Sequence, residues 1–215
     1  MDALGRATFW TRMVDIDARD TEGGIKLAKA LRELSRYDEA VAAATQVLVV
    51  APRDLEALLE LARDYIAAGQ GFFAIDPARR AGALAPKDWR PPSLLGIALE
   101  QAERSDEAMV AFGQALRLAP NNPATLSNLA MYDAAHGQAD HAEALLRQAV
   151  SAPGAGPRER QNLALIVGLR GRLDEAERLE RQDLPPEVVT NDLAYLRADQ
   201  AGASSRSWNT LSSDH

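Results

Sequence analysis

The 215-residue chain has no cysteine, which excludes disulfides, thiolate metal sites, thiol catalysis and an acylated cysteine within it. Aromatic residues supply only 5% of a chain that is 47% hydrophobic, so Ala and Leu carry most of the apolar content. An Ala/Leu/Glu/Arg-rich chain with few β-branched residues favours helix. Basic residues are outnumbered, 24 to 31, for a net charge of −7. A nucleic-acid binder shows a basic face instead, so no nucleic acid is expected as a partner. No run of 18 apolar residues occurs and charges recur throughout residues 1–20, so neither a membrane span nor a signal peptide is read here. Catalytic signatures are missing too: there is no phosphate loop, nucleophile elbow or HExxH. His136, His141 and His215 form no metal pattern, and His136 and His141 read as solvated residues flanking a helix–helix turn. Carboxylates recur at helical spacing, as in DEAE-like stretches, where a solvated face is the default. The expectation is a non-enzyme with no cofactor and no metal.

What the chain does have is a period. Pro52, Pro86 and Pro120 stand 34 residues apart each time. With this proline at position 32 of a repeat, repeats begin at Thr21, Leu55, Trp89, Pro123 and Pro157. Position 7 is then Leu27, Leu61, Leu95, Leu129 and Leu163. Position 8 is Ala28, Ala62, Gly96, Ala130 and Ala164; position 20 is Ala40, Ala74, Ala108, Ala142 and Ala176. Small residues at positions 8 and 20 let two antiparallel helices approach closely, while Leu at position 7 and Phe112 or Leu146 at position 24 fill the space beside them. One such pair cannot bury its apolar face alone, so neighbouring pairs must stack.

This period and these columns resemble the tetratricopeptide repeat. The resemblance implies an all-α, right-handed α-solenoid of about five repeats with terminal capping helices. The expected organisation is an N-terminal helix within 1–20, repeats over 21–184, a capping helix within 185–200 and a disordered tail over 201–215 around Trp208. Residues 3–18 read as one amphipathic helix with Phe9, Trp10 and Met13 on its apolar side. In register this is the second helix of a repeat whose first helix is missing, and trimming of a longer chain is the favoured reading. Asp54, Ser105 and Asn122 read as N-caps, the last followed by Pro123. Gly69, Gly137 and Gly171 fall at position 15, where the chain leaves the first helix and a left-handed residue is cheap. Asp76-Pro77 reads as a helix start lodged inside a second helix, so that helix is expected to break there. After Pro185-Pro186, Val188, Leu193, Tyr195 and Leu196 are available to cover the last repeat.

A solenoid of this kind binds partners on its concave face, lined by positions 2, 5, 6, 9 and 12 of each first helix. The first two repeats place charges there, among them Glu22, Lys26, Lys29, Arg32, Glu56, Glu60 and Arg63. Chaperone-binding members of this class grip a C-terminal carboxylate with Lys and Asn at positions 5 and 9 of their first repeat; here those places hold Ile25 and Lys29, which disfavours a co-chaperone. The later repeats are softer. Asn128 and Asn162 recur 34 apart inside matching NLA triplets, where an amide either hydrogen-bonds an extended peptide or bonds a neighbouring helix. The partner-binding set read from the sequence is Arg90, Asn128, Met131, Asn162 and Leu165.

Two stretches are more particular than the repeat consensus: Lys87–Ala108 (KDWRPPSLLGIALEQAERSDEA) and Gly156–Leu179 (GPRERQNLALIVGLRGRLDEAERL), the second followed by DLPPE and NDLAYLR. Together these resemble TadD, the tetratricopeptide protein of tight-adherence (Flp) pilus systems, over roughly residues 20–199. That resemblance implies a periplasmic lipoprotein tethered to the outer membrane, a pilotin whose partner is an outer-membrane secretin. The family's lipid-bearing Cys is absent from this chain, so any membrane contact would run through an anchor the chain does not contain. The alternative is a cytoplasmic adaptor using the same groove for an unrelated partner. Self-association through the N-terminal end around Trp10 is a further possible contact.

Overall fold

The structure, a computed structural model, describes residues 1–200. The tail over 201–215, expected to be disordered around Trp208, lies outside the described residues. In chain order the helices are α1 (Ala3–Ile16), α2 (Thr21–Glu33), α3 (Tyr37–Val50), α4 (Leu55–Ala67), α5 (Gly71–Leu84), α6 (Arg90–Gln101), α7 (Ser105–Leu118), α8 (Pro123–Ala135), α9 (Ala139–Ser151), α10 (Pro157–Leu169), α11 (Leu173–Glu180) and α12 (Pro186–Gln200). They form two compact units, one over Met1–Leu118 and one from Ala119 onward.

In both units the helix ends follow local chemistry. Asp20 and Asp54 accept hydrogen bonds from the amides of Gly23 and Ala57, and Asn122 caps α8 ahead of Pro123. Ser105 is the first residue of α7 rather than the residue before it. Every first helix ends in a left-handed residue at position 15: Ser35, Gly69, Glu103, Gly137 and Gly171 all have φ between 57° and 86°. Three of these are the glycines read from the sequence. Ser35 and Glu103 adopt the same conformation with a Cβ to accommodate.

The small-residue columns are the packing sites. All five alanines at position 20 are fully buried. At position 8, Gly96 is small because of Phe112: a Cβ on Gly96 would lie 2.6 Å from that ring. Within the first unit α1 packs on α2, burying Ala7 against Leu27, Ala30, Leu31 and Ala40, with Trp10 and Val14 beside them. Phe9, expected on this apolar side, points away and is exposed; the buried stripe runs through Ala7, Trp10 and Val14 at helical spacing. Position 20 in the register of α1 is Arg6, which pairs with Glu33 on α2, so α1 lacks the small residue found there in every other second helix.

The expected break at Asp76-Pro77 does not occur: α5 runs from Gly71 to Leu84 with Pro77 inside it. Proline there removes one backbone hydrogen bond and costs about 3 kcal/mol in an unsupported helix. Burial of Ala74, Ile75, Pro77, Ala78 and Ala81 on one stripe holds the helix through that defect. Its first residue is pinned as well, since a Cβ on Gly71 would lie 2.6 Å from the Ala98 carbonyl of α6.

In the second unit α12 covers α10 and α11, as a capping helix should. Leu193 and Leu196 do so as expected, joined by Val189 in place of Val188, which is exposed, while Tyr195 is half-buried. Gly168 of α10 makes room for this contact, because a Cβ there would meet Leu196 at 2.5 Å.

Candidate functional site

The faces of the first helices, where a partner was expected, differ in chemistry between the two units. In the first unit α2, α4 and α6 carry an ion-pair network. Arg32 of α2 bonds Glu60 of α4 at 2.8 Å and reaches Asp64 at 3.4 Å, and Arg63 also pairs with Glu60. Arg90 of α6 bonds Glu56 of α4 at 2.8 Å and its neighbour Asp88 at 2.7 Å. Lys26 pairs with Glu22 at 2.5 Å and lies 4.5 Å above the Trp10 ring. Arg90 is therefore a strut between repeats, and a ligand there must compete with two carboxylates.

Asp64 sits at position 10, a column otherwise held by Ala30, Ala98, Tyr132 and Ile166. It is fully buried, and its Oδ2 has no hydrogen-bond partner among the described residues. Burial, only partly offset by Arg32, pushes its pKa up to about 7. The sequence signal for it was one carboxylate in an otherwise uncharged column.

In the second unit the amides expected to meet a peptide bond their own neighbours. Asn128 Oδ1 accepts from Arg158 Nη2 at 2.5 Å, and Asn162 Nδ2 donates to Ser127 Oγ at 2.8 Å. Both bonds run between α8 and α10, so of the two roles an amide could take at this position, the structure places both in the helix–helix one. The reason is proximity: residues about one repeat apart face each other across stacked first helices. Met131 and Leu165, one repeat apart at position 9, remain half-buried on this face. Arg158 and Ser127 were missed as partners, although their offsets of 30 and 35 residues from the amides are close to the repeat length.

His136 and His141 are exposed, as read from the sequence, yet each has a partner. His141 Nδ1 lies 2.6 Å from Oδ2 of the buried Asp133, and the His136 ring stacks on Tyr132 with centroids 4.1 Å apart. The first contact ties the start of α9 to α8, and the second holds the C-terminal end of α8. A second arginine cluster grips Glu143, where the hydrogen bond from Arg172, opposed by burial and aided by Arg147, holds its pKa below the usual range. Among the described residues no group of three His, Cys, Asp or Glu is arranged to hold a metal, and no helix is long and apolar enough to cross a membrane.

Paired helices with a small-residue seam, a left-handed exit at position 15 and a 34-residue offset between stacked partners have known counterparts. Residues 93–122 and 124–152 each match a tetratricopeptide-repeat model. The fold is a tetratricopeptide-repeat solenoid. No curated protein matches the chain. Among solved structures, the chain is similar to TTC0263, a thermophilic tetratricopeptide-repeat protein of Thermus thermophilus: 26% identity, TM-score 0.73, covering 82% of this chain and 98% of that one. A tetratricopeptide-repeat protein from Parabacteroides merdae matches with TM-score 0.78 at 15% identity, over 91% of this chain and 78% of its own. YrrB, described as a tetratricopeptide-repeat protein with an unusual peptide-binding site, matches with TM-score 0.51 at 16% identity, over 81% and 93%.

Proposed function

We propose that this tetratricopeptide-repeat protein is a non-enzymatic, protein-binding scaffold that acts as a pilotin-like assembly factor for the outer-membrane secretin of a tight-adherence pilus machine. Protein binding is the general role of the fold, and the peptide-binding site described for YrrB supports a peptide-like ligand here. The pilus assignment is carried by one observation, the resemblance of RQNLAL and DLPPE…NDLAYLR to TadD. These segments lie in α10, in the link after α11 and in α12, and α10 and α12 meet where Gly168 receives Leu196. Arg160 of the first segment bonds Asp183 of the second at 2.6 Å, so these two matches are neighbours in space. On this reading the protein works in the periplasm, held at the outer membrane.

The partner segment docks on the second unit's first-helix face, with Met131 and Leu165 as its apolar contacts. Asn128 and Asn162 serve this site by aligning α8 with α10, and Arg90, in the other unit, supplies a charge that Glu56 and Asp88 already hold. Pull-down of the purified secretin subunit tests both levels. Met131→Ser/Leu165→Ser is expected to stay folded and to retain several-fold less secretin, whereas Phe9→Ser/Trp10→Ser retains it. The reverse result moves the site to the N-terminal end. Failure of the unaltered chain to retain the secretin overturns the pilus reading and leaves the scaffold. Asn128→Ala/Asn162→Ala should lower stability by about 0.5–1.5 kcal/mol per lost bond and weaken binding only through that loosening.

A further inference from the structure

Position 24 is a core column of the repeat. It holds Ala44, Ala78, Phe112 and Leu146 in the first four repeats, all apolar and buried; in the fifth it holds Glu180. Glu180 is buried too, only 6% exposed, and its Oε2 has no hydrogen-bond partner among the described residues. With Ala176 it makes up the buried side of α11, a helix of 8 residues where the second helices before it have 13 or 14. The helix packed on α11 from outside is α12. Its buried stripe runs through Val189, Leu193 and Leu196, and half-buried Asp192 falls on the same stripe, one turn from Val189 and one from Leu196. A carboxylate thus stands on each side of an otherwise apolar seam, and the two repel. Among the described residues no cation offsets Glu180. On α10, Arg160 is held by Asp183 at 2.6 Å, and Glu159 accepts from the Gly156 amide. On α11 itself, Arg181 is taken by Glu177 and Arg178 by the Asp174 carbonyl. Arg147 of α9 reaches Glu143 and Glu175, while Glu187 and Arg197 of α12 are exposed.

We propose that α12 is a pH-gated cap, docked on α10 and α11 while Glu180 is protonated and loosened when it ionises. A neutral carboxyl is tolerated in this seam; a carboxylate there is buried, unpaired and faced by Asp192. Burial first, then Asp192 and Glu177, pushes the Glu180 pKa up to about 7. With α12 released, the carboxyl regains water and an ordinary pKa of about 4. The docked state therefore holds a proton that the released state gives up. Docking is strongest below about pH 4, weakens as pH rises to about 7 and then levels off. Little opposes release: three buried side chains, with Leu196 seated at Gly168, where a Cβ would lie 2.5 Å from it. Release uncovers that notch, at the end of the stack. A leucine at position 24, as in the preceding repeat, would hold the cap at any pH; Glu180 makes the hold conditional. The device rests on the α11–α12 seam and does not depend on the pilus reading.

Hydrogen exchange of the whole chain tests this, read as protection factors so that the intrinsic pH dependence of exchange is removed. Protection of the α12 amides over 189–196 is expected to fall at least about tenfold between about pH 5 and about pH 8. At the higher pH these amides should exchange faster than those of α10, because the cap leaves before the unit unfolds. Glu180→Gln keeps the shape of the side chain and cannot ionise, so its α12 protection should be the same at both pH values. Glu180→Leu, which restores the apolar column, should behave likewise. Asp64→Asn, in the other unit, should leave the α12 response unchanged. A fall that persists in Glu180→Gln or Glu180→Leu overturns the proposal, and so does equal α12 protection at both pH values in the unaltered chain. Exchange of the α12 amides no faster than those of α10 at the higher pH also overturns it, since the helix would then leave only with the rest of its unit.

Discussion

The two units use one scaffold and dress it in opposite ways. From Met1 to Leu118 the first-helix face is a lattice of arginines and carboxylates; eleven large apolar side chains, from Met1 to Leu118, stand exposed in that unit. In the second unit, among its described residues, only Val188 does so, and the first-helix face carries bonded amides, with Arg158 on Asn128, beside Met131 and Leu165. The alanines at position 20 are equally buried in both. The difference therefore lies wholly in positions the repeat leaves open, which is where binding specificity is written. A charge lattice that already satisfies itself is a poor ligand site; half-buried Met and Leu beside fixed polar groups are a better one.

If the scaffold is truly common, overpacking its seam should cost the same in either unit. Ala108→Leu in the first and Ala142→Leu in the second should each destabilise by about 1–3 kcal/mol. Hydrogen exchange should place the loss in the unit that carries the change. An unchanged melting temperature for either variant contradicts the register on which the comparison stands.

Each unit also buries one carboxylate raised to about 7, for different reasons. Burial dominates in both, but Arg32 opposes the shift at Asp64, while Asp192 and Glu177 reinforce it at Glu180. A folded pKa above the unfolded value of about 4 means the native state holds the extra proton, so stability falls as pH rises from about 4 to 7 and then levels off. For Asp64 the slope should be on the order of 1 kcal/mol per pH unit between about pH 5 and 7. Asp64→Asn should flatten it, gaining on the unaltered chain as pH rises. Denaturant titrations at several pH values check this, and parallel curves for the two proteins would refute it. Carboxylates such as Asp183, lowered by the Arg160 hydrogen bond, act in the other direction at lower pH.

The smallest contrast is at position 15. The second unit uses glycine at both left-handed exits, whereas the first uses it at one of three, Gly69, and places Ser35 and Glu103 at the others with φ of 57° and 58°. Ser35→Gly and Glu103→Gly relieve that strain, though glycine adds unfolded-state entropy, so a net gain of up to about 1 kcal/mol is expected. Gly137→Ala should lose a similar amount. Thermal melts of the three variants would separate these effects.

Much of the fold was legible because a repeat is read five times. The position 20 alanines, the glycines at position 15 and the caps at Asp54 and Asn122 all fall where local rules put them. Misreadings arose where one helix borrows stability from another. Pro77 signals a break by its own chemistry, yet a buried stripe carries α5 through it. Phe9 and Val188 each lie beside the residue that actually faces the core, because a short helix docking on one side selects a narrow stripe that hydrophobicity alone does not locate. At the candidate site, Met131 and Leu165 are half-buried, whereas the amides found partners about one repeat away that a linear reading does not rank.

By itself the sequence determined the all-helical repeat, its 34-residue period and the seam of small residues, since these follow from local propensity and from steric limits that recur at fixed offsets. Tertiary structure alone decided which polar groups remain for a partner. Arg90, Asn128 and Asn162 lie on stacked first helices and bond groups on α4, α10 and α8 in turn. The physical reason is that a hydrogen bond or a burial depends on what stands within a few ångströms, and in stacked repeats that neighbour comes from a residue about 30 positions away.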